Sequence, residues 1–197
     1  MLKLGLTGSI GSGKSIVSNF FNKWGCYIFD ADKISKSILF KNETTQNEII
    51  AEFGTDVLDT NKKISNEKLA KIAFQNEDYQ LRLNAIMHPY VFKEIDNAIE
   101  LVSKKLKHEI FIVDAALIYE TGFDIHMDYV LVVTSRLKLR TERALISGKL
   151  SRDDFLRREA LQWPDQDKIN MADFVIHNNG TEEELKLEAK KIFDYFK

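Results

Sequence analysis

Residues Gly8 to Ser15 read Gly-Ser-Ile-Gly-Ser-Gly-Lys-Ser, a complete G-x-x-x-x-G-K-[ST] loop, and its flanks constrain the fold as tightly as the loop does. An apolar run, Leu2-Lys3-Leu4-Gly5-Leu6-Thr7, leads in as a short buried strand would. A helical pattern leads out, with Ile16, Val17, Phe20, Phe21 and Trp24 on one face and Gly25 placed to stop it. Strand, loop and helix in that order are the setting in which such a loop turns its backbone N–H groups inward around an anion. Gly8, Gly11, Ser12 and Gly13 would form the cradle. Lys14 would reach the β- and γ-phosphates of a nucleotide, and the Ser15 hydroxyl would ligate Mg²⁺.

Four further apolar runs have strand character: Cys26 to Phe29, Ile110 to Val113, Tyr129 to Val133 and Phe174 to Ile176. None alternates strictly, which predicts strands buried on both faces of a parallel sheet. Long intervals separate them unevenly. Residues 32–107 read mainly as helices, around Asp32–Leu39, Thr45–Phe53, Asn66–Phe74 and Gln80–Lys107, with Pro89 interrupting the last. A second excursion covers 136–164. Ser151-Arg152-Asp153-Asp154 opens a helix there, and Thr181-Glu182-Glu183-Glu184 is a capping box before the last helix. The expected fold is α/β: a P-loop NTPase three-layer α/β/α arrangement with a five-stranded parallel sheet. Its core would be 1–31, 108–135 and 165–197; by analogy with the fold of many small kinases, the helical insertion at 32–107 would bind an acceptor and the helical segment at 136–164 would be a lid.

The chain of 197 residues has a net charge of −2, which provides no general attraction to nucleic acid or to an anionic membrane. No apolar run is long enough to span a bilayer and no signal-peptide pattern is visible, so the expected compartment is the cytoplasm. The lone Cys26 sits among apolar residues, as a buried core thiol would. His108, His126 and His177 show no metal-ligand spacing.

Three groups of residues could carry chemistry. Asp30-Ala31-Asp32 follows the second strand, at the end of the sheet where ligands bind; Asp32 is the candidate base and Asp30 the candidate helix cap. Asp114 ends the third apolar run, where a carboxylate can meet Mg²⁺ through water. Arg136, Lys138, Arg140, Arg143, Lys149, Arg152, Arg157 and Arg158 form a local basic excess suited to a lid over a triphosphate. Arg140 and Arg143, about one helical turn apart, would share a face toward the nucleotide. Asn178-Asn179-Gly180 is either a plain turn or the backbone rim of an adenine pocket.

Taken together these residues resemble the dephospho-coenzyme A kinase family from Leu4 to Gly180. The resemblance is carried by residues 6–15, by Asp30-Ala31-Asp32 and by Phe53-Gly54. Beyond these it is carried by Arg82, Leu83, Asn84, Ile86, His88 and Pro89, by Asp114 through Glu120, and by Ala172 through Gly180. It implies transfer of the γ-phosphate of ATP, with Mg²⁺, to the ribose 3′-hydroxyl of dephospho-coenzyme A. By the same resemblance Asp32 is the catalytic base and Lys14, Arg143 and Arg140 act on the transferring phosphate. Gly8, Gly11, Ser12, Gly13, Lys14, Ser15, Ile16, Asn178, Asn179 and Gly180 bind ATP. Asp32, Lys36, Arg82, His88, Asp114 and Leu117 face the acceptor, with Ser15 on the metal and Asp32 or Asp114 reaching it through water. The partners would be these two small molecules alone, with no nucleic acid and no membrane, and the protein a monomer or small homo-oligomer.

Some positions depart from the family's pattern. Ser9 stands for Gly, Ile16 for Thr, Lys36 and Asn66 for Arg, and Ala116 for Pro; Ser147 takes the place of a second lid arginine and Arg140 that of a Gln. Either Arg140 supplies the charge missing at Ser147 or ATP is held less tightly. Two other readings of the loop are a kinase for another small acceptor, such as a nucleoside monophosphate, and a nucleotide-binding switch. Against a guanine-specific switch, Asn22-Lys23-Trp24-Gly25 and Asn61-Lys62-Lys63-Ile64 both lack the Asp of N-K-x-D.

Overall fold

The computed structural model describes residues 1–148 and 150–197; Lys149, one of the basic residues named above, lies outside them. The five apolar runs form strands β1 (Leu2–Thr7), β2 (Tyr27–Asp30), β3 (Ile110–Asp114), β4 (Tyr129–Thr134) and β5 (Phe174–His177). They make one sheet in the order β2-β3-β1-β4-β5 with every pair parallel. β1 lies at the centre, so the phosphate loop that follows it opens at the carboxyl edge of the sheet. From β1 the chain goes to β2 and then β3 on one side, and from β3 it crosses to β4 and β5 on the other, a reversal of the kind that leaves a crevice beyond the strand ends.

Period-two alternation sorts the side chains. Leu4 and Leu6 of β1, Ile110 and Ile112 of β3, and Leu131 and Val133 of β4 pack on one face with α1 (Lys14–Lys23) and the C-terminal helix. Phe21, Trp24 and Phe193 meet there ring to ring at 5.3–6.0 Å between centroids. On the other face Val130 and Val132 pack with Ile118, Tyr119 and Ile169. Gly25, in the left-handed region at φ 93°, ends α1 as expected.

The described residues divide into two compact units, residues 1–30 with 98–197, and residues 31–97. The second unit is helical: α2 (Ala31–Lys41), α3 (Glu43–Phe53), α4 (Asn66–Ala73) and the greater part of α5 (Glu77–Lys105). Asn42 caps α3 through Thr45 N and Ser65 caps α4 through Lys68 N. α5 runs straight through Pro89, contrary to the expected interruption. Proline removes one helical hydrogen bond. The buried stripe Met87, Val91 and Ile95 stays in phase on both sides of it, and that burial favours continuity.

In the first unit, beyond β4, come α6 (Leu137–Ile146), α7 (Arg152–Ala160), α8 (Asp165–Met171) and α9 (Glu182–Tyr195). Ser151 caps α7, and Thr181 with Glu184 forms the capping box of α9. The short helix α8 had no counterpart among the expected elements. Its seven residues, Asp-Gln-Asp-Lys-Ile-Asn-Met, carry too few apolar positions to show a period.

Candidate active site

The loop between β1 and α1 has the backbone of an anion cradle. Gly11 and Gly13 take φ 77° and 96°, and any side chain there would collide, at Gly11 with the Arg140 carbonyl and at Gly13 with the Asn178 amide. Gly13 caps α1 without a side-chain hydrogen bond, and the first turn of α1 holds no acidic residue. No capping side chain and no carboxylate of its own first turn offsets the positive end of this helix, a setting that favours an anion. Ser12 is buried, and its hydroxyl has no hydrogen-bond partner among the described residues.

Lys14 opens α1 and its ammonium pairs with Asp114, the last residue of β3. The register Leu6↔Asp114 sets that carboxylate beside the strand that delivers the loop. Both side chains are largely withdrawn from water, at 16% and 10% exposure, so their attraction is weakly screened. Ser15 is exposed in the first turn of α1. A hydroxyl on the rim of an anion cradle, with a carboxylate on the neighbouring strand, is a donor set of hard oxygens that suits Mg²⁺ held on a phosphate.

The segment after β5 closes against the loop. Asn178 donates its side-chain amide to Ser12 O at 2.8 Å, and Asn178 N donates to Thr134 O at 2.7 Å. Asn179 Oδ1 accepts from Arg136 N at 2.9 Å and from Ser135 Oγ at 3.2 Å. Gly180 leads directly to the cap of α9. Both asparagine side chains are therefore spent on the protein. The backbone is engaged as well, with Asn179 N donating to His177 O at 2.9 Å and Asn178 O accepting from Arg143, so this segment forms a bonded wall beside the loop.

The two arginines of α6 part company. Arg143 is half-buried and donates to Ser135 Oγ and to Asn178 O, at 3.2 and 3.1 Å. Arg140 is buried, 3% exposed. Its guanidinium is gripped by Glu159 through bonds of 2.6 and 2.5 Å, lies 3.1 Å from Asp165, and donates to Ser135 O. Burial by itself would lower its pKa, but the Glu159 hydrogen bonds and the charges of Asp165 and Glu159 outweigh that and raise it. This differs from the expected pair of arginines turned together on the nucleotide. The basic window read from the sequence ended at Arg158, one residue short of the carboxylate that takes up Arg140.

Two further buried charges escaped the sequence reading. Lys168 of α8, fully buried, pairs with Glu120 at 2.7 Å and donates to Ala116 O. Thr7 Oγ1 donates to the same carbonyl at 3.1 Å, so the segment after Asp114, with half-buried Leu117, is tied to β1 and to α8. No periodic or motif signal marks Lys168, since pairing across the chain is invisible in a local pattern.

Ile16, half-buried in α1, donates its N–H to Gly13 O at 3.0 Å, and the expected residues still to be placed belong to the helical unit. Asp32 lies in the first turn of α2 and Lys36 one turn further on. Arg82, exposed on α5, pairs with Glu52 at 2.9 Å and Asp78 at 2.8 Å. His88 stacks on Phe92 and its pKa is lowered by burial.

Comparison with known proteins decides what these features belong to. The dephospho-CoA kinase family model matches residues 2–184. The chain belongs to the dephospho-CoA kinase family. The dephospho-CoA kinase of Aquifex aeolicus is 37% identical over 195 residues, covering 98% of this chain and 97% of that one. Among solved structures, a Thermus thermophilus protein superposes with a TM-score of 0.82 at 25% identity, covering 100% of this chain and 98% of its own. The dephospho-CoA kinase of Campylobacter jejuni superposes with 0.69 at 27% identity, covering 98% and 95%. The protein is accordingly an ATP-dependent kinase with the activity of that family, phosphorylation of dephospho-coenzyme A. Among the described residues no helix is long and apolar enough to cross a membrane.

Proposed function

We propose that the 8–15 loop holds the β- and γ-phosphates of ATP and that Asp32 accepts the proton of the ribose 3′-hydroxyl of dephospho-coenzyme A. The observation that carries this reading is the cradle itself, glycine-dependent at Gly11 and Gly13, with the Lys14–Asp114 pair beside it in a chain of this family. Phosphate oxygens would compete with Asp114 for the Lys14 ammonium. Transfer needs little covalent work from the protein, so positioning and charge carry the rate. Arg143 is the lid cation of this scheme, held within reach of the Asn178 backbone by the bond it already makes. The Asn178–Gly180 backbone would border the adenine. Lys36, Arg82, His88, Asp114 and Leu117 are assigned to the acceptor. Ser15 would hold Mg²⁺, with Asp114 or Asp32 behind it through water, and the metal would neutralise charge between the β- and γ-phosphates. Residues 32–107 would be the acceptor-binding part and 136–164 the lid.

The test is ADP release by the purified protein with Mg·ATP, the product identified by mass, across dephospho-coenzyme A, nucleoside monophosphates and shikimate-like alcohols. Coenzyme A formed in step with ADP, and no comparable product from the others, is the expected result. Asp32→Asn should keep ATP affinity while turnover drops by about 10²–10⁴-fold. A near-normal rate in that variant would remove Asp32 as the base.

A further inference from the structure

Two of the departures from the family pattern, Ser9 and Arg140, lie far apart in sequence and meet on one carboxylate. Asp165, the first residue of α8, accepts from Ser9 Oγ on one oxygen. Its other oxygen accepts from Thr134 Oγ1 at 3.0 Å and lies 3.1 Å from the Arg140 guanidinium. Glu159 of α7 holds that guanidinium from the other side. The same arginine donates to Ile10 O at 3.4 Å, while Ile10 N donates to Gln162 Oε1 at 3.4 Å. Arg140's own carbonyl is the atom that leaves no room for a side chain at Gly11. Ser9 and Ile10 of the loop's outer arm are thus bonded to α6, α8 or the turn before α8, and Gly11 lies close against the backbone of α6.

We propose that Arg140 and Asp165 are positioning residues that hold Ser9–Gly11 in the shape that binds phosphate, so that the loop is set before ATP arrives. Ser9 and Arg140 are both 3% exposed and the carboxylates of Asp165 and Glu159 are 21% and 23% exposed, so the charge-assisted bonds between them are shielded from most of the solvent and directional. A cradle of backbone N–H groups binds an anion only when they converge, and a loop free to choose other shapes loses affinity by the fraction of time spent in them. With its guanidinium committed to Glu159 and Asp165, Arg140 does not supply the charge missing at Ser147. It acts on the nucleotide through the loop and not by touching it.

This inference rests on ATP being the ligand of the loop, and the experiment separates the two. Mg·ATP binding is measured by titration calorimetry, and the KM for each substrate is measured separately, in wild type and in Arg140→Gln, Asp165→Asn, the double variant and Ser9→Ala. Wild type that fails to bind ATP overturns the proposed function itself. If wild type binds, the singles should bind ATP about tenfold more weakly, with the KM for dephospho-coenzyme A unchanged. The double variant should lose no more than the worse single, because both cut one network. Ser9→Ala, which leaves no buried charge unpaired, should show a smaller loss of the same kind. It carries the test if the charge variants do not fold. Unchanged ATP affinity in folded variants overturns the proposal. A fall in kcat in Arg140→Gln with ATP affinity intact also overturns it, by giving Arg140 a direct role in transfer.

Discussion

Arg140 and Arg143 stand three residues apart on α6, and their neighbours give them different work. Arg143 bonds to a hydroxyl and a backbone carbonyl, both neutral partners, whereas Arg140 is paired with Glu159 and Asp165. The same contrast between residue type and surroundings applies to Cys26. Burial pushes its thiol up to about 12, against a smaller opposing pull from Lys197. The thiolate, the reactive form, is therefore scarce at neutral pH. Native protein should resist an aromatic disulfide reagent at about pH 8 and react fully once unfolded in urea, given the ordinary thiol pKa of about 8.5. Rapid labelling of the native protein would contradict the burial of Cys26, which is 2% exposed.

At the scale of elements, local rules govern the ends and packing governs the middles. Thr181 Oγ1 accepts from Glu184 N, and the Glu184 carboxylate accepts from Thr181 N, the box read from Thr-Glu-Glu-Glu. Thr181→Ala should lower the denaturation free energy by about 1 kcal/mol, seen as a lower urea midpoint at unchanged slope. A null effect would mean that the packing of α9 through Leu185, Ala189 and Phe193 sets its start. α5 shows the opposite case. Pro89 is a local stop signal, yet the helix passes through it because the apolar stripe on either side is buried on one face.

For the whole molecule, acid should be a selective stress. His88 lies in the helical unit with its pKa lowered from 6.5 by burial. The folded form thus binds its proton less readily than the unfolded chain does. The stabilising effect of the neutral ring is complete above 6.5 and is lost as pH falls through the lowered folded value. Thermal melts from about pH 7.5 down to about pH 5 should show a falling midpoint, with the slope reduced in His88→Asn. An identical slope in the variant would assign the acid sensitivity to other groups.

The phosphate loop, all five strands, the capping box of α9 and the family were legible in the chain, because each is written in neighbouring residues or in a fixed short spacing. The pairing of Lys14 with Asp114, the burial of Lys168 against Glu120 and the hold of Asp165 on Ser9 and Arg140 were not. Each joins residues brought together only by the strand order β2-β3-β1-β4-β5 and by the docking of α6, α7 and α8. A charge's partner is fixed by distance in space, which local sequence does not encode. The sequence therefore determined the loop, the strands and the family, and the tertiary structure decided which carboxylates its cations meet, because that depends on distance in space.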